Sequence, residues 1–252
     1  MPDFSSPWTL AISLIFLGAG FVKGVTGMGL PTVAMGLLGA LMSPVIAASL
    51  LIAPSFVTNV WQLLAGPSFW ILARRLWLMM AGVMIGTIAG ASMLTAGDVR
   101  WTTSALGAAL SLYAGVALAA PPFHAPPRLE RWLSPLIGVT TGLVTGGTGV
   151  FVIPAVPYLQ SLNLSKDDLI QALGLSFTVS TIALAIGLGW RGAFQVENLA
   201  ASSLAIAPAL AGMWLGQMAR RRISPAAFRR WFLIFLLLLG LELMLRPLLR
   251  GA

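Results

Sequence analysis

Long apolar runs, broken by short clusters of charge and by proline, set the order of this chain. Apolar and polar residues do not alternate at period two, which argues against barrel strands and for helices in an apolar solvent. No charged residue occurs between Gly24 and Ala73, leaving room for two crossings of about 20 residues each. The breaks, taken in turn, predict ten segments. Five precede the midpoint: Trp8 to Thr26, a short Leu30 to Met42, Pro44 to Leu64, Leu76 to Thr95 and Trp101 to Ala120. Five follow it: Trp132 to Gly147, a short Val150 to Leu162, a segment opening at the polar corner Ser165–Asp168 and running to Trp190, Leu199 to Met218, and Trp231 to Leu249. Ser165, Asp167 and Asp168 suit a helix N-terminus. Glycines spaced by four at Gly82, Gly86 and Gly90, and at Gly212 and Gly216, predict close helix–helix approach.

The interruptions repeat. Gly20-Phe21-Val22-Lys23-Gly24-Val25-Thr26-Gly27-Met28-Gly29-Leu30-Pro31 is echoed by Gly142-Leu143-Val144-Thr145-Gly146-Gly147-Thr148-Gly149, with Pro154 following. A shift of 122 positions puts Gly20 on Gly142, Gly24 on Gly146, Thr26 on Thr148 and Gly27 on Gly149. Ser55-Phe56 and Ser176-Phe177 hold matching places, and Arg100-Trp101 and Arg230-Trp231 each open the last segment of a half. The chain therefore divides into a membrane half over 1–120, a linker over 121–131 and a second half over 132–252. The fold class is an all-α polytopic membrane protein of two homologous repeats.

Two topologies compete. If segments two and seven cross fully, each half has five crossings and the second is inverted. Arg74, Arg75, Arg128, Arg131, Lys166, Arg220, Arg221, Arg222, Arg229 and Arg230 then share one side, ten against the four of Arg100, Arg191, Arg246 and Arg250. If those segments dip in and return, the repeats are parallel and the count is seven against seven. The positive-inside bias favours the inverted arrangement, with the ten in the cytoplasm. A helix of segment two's length spans roughly 20 Å against a hydrocarbon core of about 30 Å. Its glycine-rich approach is thus expected to be an interrupted crossing.

Composition agrees. The chain of 252 residues is 58% hydrophobic and 9% charged, against about 25% charged in soluble domains. The net charge of +8 lies between apolar runs and on no separate basic domain, so nucleic-acid binding is not expected. There is no cysteine and one histidine, His124, in the linker, which excludes disulfides and predicts no metal centre. The first apolar run lacks a basic n-region and reads as a retained span. The seven carboxylates are scattered, six of them at segment ends or in loops. No catalytic pairing is evident, so neither an enzyme nor a cofactor is expected.

What remains is the duplicated break. Backbone interrupted at membrane depth is tolerated where protein or water satisfies it, and such paired breaks point to a transporter's substrate site. Helix N-termini near Gly29 and Gly149 would offer N–H groups and partial positive charge to an anion. Glycines Gly24, Gly27, Gly29, Gly146, Gly147 and Gly149 allow close approach, while Thr26 and Thr148 add hydroxyls and Lys23 a full charge. Ser55, Thr58, Asn59 and Gln62 share a helical face; Ser176, Thr178, Ser180 and Thr181 are their counterparts. Hydrogen bonding between helices competes with substrate contact for these groups, and snorkelling to an interface competes for Lys23. Glu242 and Arg246 read as a simple i,i+4 pair.

The motif Gly-x-x-x-Gly-x-Thr-Gly-x-Gly followed by proline, with its echo after the midpoint, resembles the sulfite exporter TauE/SafE family over roughly Leu10 to Leu245. The resemblance implies a permease of the bacterial inner membrane for small anions such as sulfite, sulfonates or related organic acids. The expected partners are that anion and the lipid bilayer, with homo-oligomerisation left open. A secondary transporter working by alternating access is the main expectation. An anion channel and a non-transporting scaffold are the alternatives.

Overall fold

The computed structural model describes residues 7–119, 126–193 and 196–249, and every regular element among them is an α-helix. In chain order these are α1 (Pro7–Thr26), α2 (Leu30–Leu41), α3 (Pro44–Leu64), α4 (Phe69–Ala96), α5 (Val99–Ala119), α6 (Pro127–Thr148), α7 (Ala155–Gln160), α8 (Lys166–Trp190), α9 (Val196–Leu204), α10 (Ile206–Ala219) and α11 (Pro225–Leu249). Five of them, α1, α3, α4, α5 and α8, are long and apolar enough to cross a membrane. All nine tryptophans are exposed on the outside of the bundle, the expected place for amphipathic rings that meet lipid and its interfaces. The protein is a multi-pass membrane protein.

Several expected boundaries move, each for a local reason. Helix α4 begins at Phe69, so Arg74 and Arg75 lie within it rather than at its edge. Helix α6 starts at Pro127, where proline suits the first helical turn, and takes Arg128, Glu130 and Arg131 out of the expected linker. Helix α11 starts at Pro225 for the same reason, not at Trp231. The ninth segment is two helices that meet at Ala205. Segment seven departs most: Val150–Ile153 is not helical, and α7 has six residues. A helix N-terminus therefore does not sit at Gly149, contrary to expectation. His124 falls outside the described residues.

Small residues decide which helices touch. Gly82, Gly86 and Gly90 of α4 face Gly138, Gly142 and Gly146 of α6, so close that a Cβ on any of them would collide with the partner's backbone. Gly20 and Gly24 of α1 meet Gly212 and Gly216 of α10 in the same way. Without a hydrophobic drive between helices in lipid, backbone approach of this kind is what holds them together. The first helix of each half thus packs on the fourth segment of the other half. Residue order along both contacts rises together, so these pairs are parallel.

Two further pairs run antiparallel. Helix α3 lies against α8, with Ser49 near Ala193 at one end and Leu63 near Gln171 at the other. Helix α5 lies against α11, with Ser104 near Met244 and Ser111 near Gly240. These directions bring the starts of α4, α6, α8 and α11 and the end of α10 to one end of the bundle. Arg74, Arg75, Arg128, Arg131, Lys166, Arg220, Arg221, Arg222, Arg229 and Arg230 all lie there, and Arg100, Arg191 and Arg246 lie at the other. At the basic end Arg75 forms a forked pair with Glu130, at 2.6 Å and 2.8 Å, joining α4 to α6. The expected pair Glu242–Arg246 closes at 3.0 Å.

Proline in a helix interior leaves the carbonyl four residues earlier without its N–H partner. Pro54 does this to Leu50 in α3. Ser202 of α9 repairs the defect: its hydroxyl donates to the Leu50 carbonyl at 2.8 Å and accepts the Ala53 N–H at 3.0 Å. Ser202 is fully buried, so no water replaces it. Ser202→Ala is expected to destabilise the protein by about 1–3 kcal/mol, read as a lowered unfolding midpoint in detergent; an unchanged midpoint would show that the repair is not needed.

Candidate functional site

The two glycine-rich breaks have the same local geometry. Helix α1 ends when Gly27 enters the left-handed region at φ 80° and its N–H bonds the Lys23 carbonyl at 2.7 Å. Helix α6 ends when Gly149 does so at φ 72°, its N–H bonding the Thr145 carbonyl at 2.7 Å. Glycine populates this region without the Cβ penalty that other residues meet. One residue earlier, the Thr26 hydroxyl donates to the Val22 carbonyl at 2.8 Å, and the Thr148 hydroxyl to the Val144 carbonyl at 2.7 Å. Each threonine oxygen also accepts the N–H two residues on, from Met28 and from Val150, at 3.2 Å. These hydroxyls stabilise the breaks, so in this state their hydrogens point at backbone rather than at a ligand. After the first break Gly29, at φ 103°, leads directly into α2; after the second the chain is non-helical through Val152 and turns at Ile153-Pro154 before Ala155.

Lys23 lies in the last turn of α1 and is 2% exposed. It does not snorkel to an interface. Its ammonium donates to Asn59 Oδ1 and, at 3.3 Å, to Thr58 Oγ1, both on α3. Thr58 can accept because its own hydrogen goes to the Pro54 carbonyl at 2.8 Å. Asn59 is oriented by its amide, which reaches Thr181 Oγ1 of α8 at 3.4 Å. No carboxylate among the described residues pairs with Lys23. A buried ammonium with only neutral partners is electrostatically incomplete. On the helices that carry these partners, Ser55 of α3 and Ser176 and Ser180 of α8 are fully buried and their hydroxyls have no partner. Buried polar atoms left over in this way ask for an explanation.

Gln62 sits one turn beyond Asn59 and joins three elements. Its amide donates to the Gly27 carbonyl at the break in α1, at 2.9 Å, and to the Ile170 carbonyl of α8, at 2.7 Å. Gln62 also lines a cavity of about 310 Å³ bounded by Gly66, Asp167 and Gln171 at the basic end. The side chain thus joins the wall of this vestibule to the break in α1 that follows Lys23.

The expected residues thus fall into three groups. Lys23, Asn59 and Gln62 are brought together, with Thr58 and Thr181. Gly27, Gly29 and Gly149 shape the breaks, and Thr26 and Thr148 brace them. Gly24 and Gly146 are used for packing, facing Met213 and Gly216 of α10 and Gly90 of α4; Gly147 only touches Met93. Sequence reasoning missed Gln171, whose amide donates to the Leu63 and Gly66 carbonyls at 2.7 Å and 2.8 Å and ties the end of α3 to α8. A buried glutamine one turn inside an apolar helix was the available signal. It also missed Thr32, a buried, unpartnered hydroxyl in the first turn of α2.

The sequence model of the sulfite exporter TauE/SafE family matches residues 12–243. The chain belongs to the sulfite exporter TauE/SafE family. It is also similar to the probable sulfite/organosulfonate exporter TauE of Cupriavidus necator (strain ATCC 17699 / DSM 428 / KCTC 22496 / NCIMB 10442 / H16 / Stanier 337), with 25% identity over 233 residues covering 91% of each chain. No solved structure matches significantly. Membership in TauE/SafE makes the protein a transporter of the bacterial inner membrane and not an enzyme.

The two breaks separate strain from sterics. A Cβ at Gly27 would find its nearest neighbour, Ile170, at 3.7 Å, whereas one at Gly149 would lie 2.6 Å from Met35. Gly27→Ala should cost about 1–2 kcal/mol, the left-handed penalty alone. Gly149→Ala should cost about 1–3 kcal/mol more because Met35 must move. Thermal unfolding of the two variants in one detergent measures the difference.

Proposed function

We propose that this TauE/SafE protein exports a small oxyanion, sulfite or an organosulfonate, with Lys23 as its principal ligand. The observation that carries this reading is the buried Lys23 ammonium, held by Asn59 and Thr58 of α3 with no carboxylate partner among the described residues; unpartnered serine hydroxyls are buried on α3 and α8. An incoming oxyanion completes the charge and gives Ser55, Ser176 and Ser180 an acceptor. The printed name of the Cupriavidus relative, a sulfite/organosulfonate exporter, supports the substrate class. The glycine-broken turn at Gly27 follows Lys23 directly, its N–H on the Lys23 carbonyl, and Gly149 makes the matching turn in the second half.

The two halves are inverted repeats that rock about this site. The antiparallel packing of α3 on α8 and of α5 on α11 supports that arrangement, as does the exchange of first and fourth segments. With ten basic residues in the cytoplasm the N-terminus faces outward, and the vestibule beside Gln62 opens inward. Gln62 is the barrier on that side: releasing Gly27 and Ile170 connects vestibule and Lys23. Outward movement of one negative charge across 100 mV is downhill by about 2.3 kcal/mol, so the membrane potential suffices to drive export.

The test is counterflow of a labelled sulfonate in proteoliposomes. The wild type should show trans-stimulated uptake, and Lys23→Met should lower the rate roughly 10- to 150-fold, the worth of a charge-assisted contact of about 1.5–3 kcal/mol. Because Met is apolar at a buried position, the variant should remain folded and monodisperse. Wild-type rates in a folded Lys23→Met protein would overturn the assignment of Lys23, and large ion currents in place of counterflow would show a channel.

A further inference from the structure

Another cavity lies at the opposite end of the bundle from the vestibule. Its volume is about 460 Å³, and it is lined by Met42 at the turn between α2 and α3, Arg100 and Thr103 of α5, and Arg246 and Pro247 of α11. That volume accommodates a small ligand. Positive charge is scarce at this end: of the three arginines described there, Arg100, Arg191 and Arg246, two line this one cavity.

The donors around the cavity are incompletely used. The Arg100 guanidinium has no partner among the described residues; its carboxylate neighbour Asp98 is turned instead to the Arg100 backbone N–H, at 2.8 Å. Arg246 is fixed by donation from Nη1 to the Ala40 carbonyl at 2.7 Å and lies 3.0 Å from Glu242. Its buried Nε–H nevertheless has no hydrogen-bond acceptor, because it does not point at that carboxylate. Thr103 is only 7% exposed, lines the cavity, and its hydroxyl has no partner among the described residues. Neither carboxylate lines the cavity. The N-terminus of the 21-residue helix α5 is capped by Asp98 through the Arg100 N–H, so the cavity's available donors are the Arg100, Arg246 and Thr103 side chains.

We propose that this cavity is an oxyanion site, separate from Lys23, that takes one sulfonate or phosphate group between Arg100, Arg246 and Thr103. The group has two sources with the same chemistry. One is the phosphate of an anionic lipid, whose chains would lie along the exposed Leu41 and Val99 at the rim. The other is the sulfonate leaving the transporter. The site rests on residues that Lys23 does not touch, so either assignment can fail alone.

The chain has no cysteine, so Thr103→Cys gives a single thiol for labelling in the full-length protein. In phosphatidylcholine nanodiscs, an anionic methanethiosulfonate reagent should label it faster, relative to its cationic analogue, than in the Thr103→Cys/Arg100→Gln protein, by roughly tenfold. Adding phosphatidylglycerol to the disc should slow labelling if the source is lipid; adding methanesulfonate to the buffer should slow it if the source is substrate. A rate ratio unchanged by Arg100→Gln, or protection by neither compound, overturns the proposal. If Thr103→Cys fails to fold, thermal shift decides: phosphatidylglycerol or methanesulfonate should raise the midpoint of the wild type and not of Arg100→Gln, and equal shifts in both overturn it.

Discussion

Backbone that leaves the helix inside a membrane must find partners within the protein, and the rest of this structure follows from that constraint. Helix α1 stops at Gly27, α6 stops at Gly149, α3 is interrupted at Pro54 and the ninth segment divides at Ala205. Each interruption frees polar groups, and each has a dedicated polar side chain beside it. Thr26 and Thr148 brace the two turns from within. Gln62 takes the Gly27 carbonyl. Ser202, on the divided segment, repairs α3. The two interrupted elements α3 and α9 thus satisfy each other, and the result is a polar interior in an apolar chain.

The same economy of space explains the assembly of the bundle. Glycines on α1 and α6 let them approach α10 and α4 to backbone contact. That places the C-terminal end of α1, and so Lys23, against the polar face of α3. Packing and site are therefore coupled: Gly24 faces α10 while Lys23, its neighbour in sequence, faces α3. A small residue on one side of the helix sets the position of the charge on the other.

Much of this was legible in the sequence because glycine, proline and charge are the residues that bilayer physics punishes or exploits most. Segments one, two, three, five and eight fall within a few residues of the helices, and Gly27 and Gly149 both mark left-handed turns as their matching places implied. The glycines spaced by four mark the close contacts. What was hidden has physical causes. A threonine at a break reads as a free donor in sequence, yet local carbonyls take the hydrogen: the one four residues back lies within reach of both Thr26 and Thr148, and Thr26 also meets the Met28 carbonyl. The non-helical path through Val150–Pro154 is β-branched and apolar, and its side chains fit either conformation. Ser202 looks like any small residue until the proline it serves, nearly 150 positions away, is brought beside it. The convergence of Arg100 and Arg246 depends on the antiparallel pairing of α5 with α11, which no local pattern encodes.

The account rests on Lys23 being the place where the anion sits. An experimental structure of the full-length protein, determined with an excess of a bromine-bearing sulfonate, locates the ligand directly. The expected result is sulfonate density within hydrogen-bond reach of Lys23 Nζ, with Asn59 and one or more of Ser55, Ser176 and Ser180 around it. Ligand density elsewhere in the bundle, with the Lys23–Asn59 contact intact and unoccupied, would contradict it.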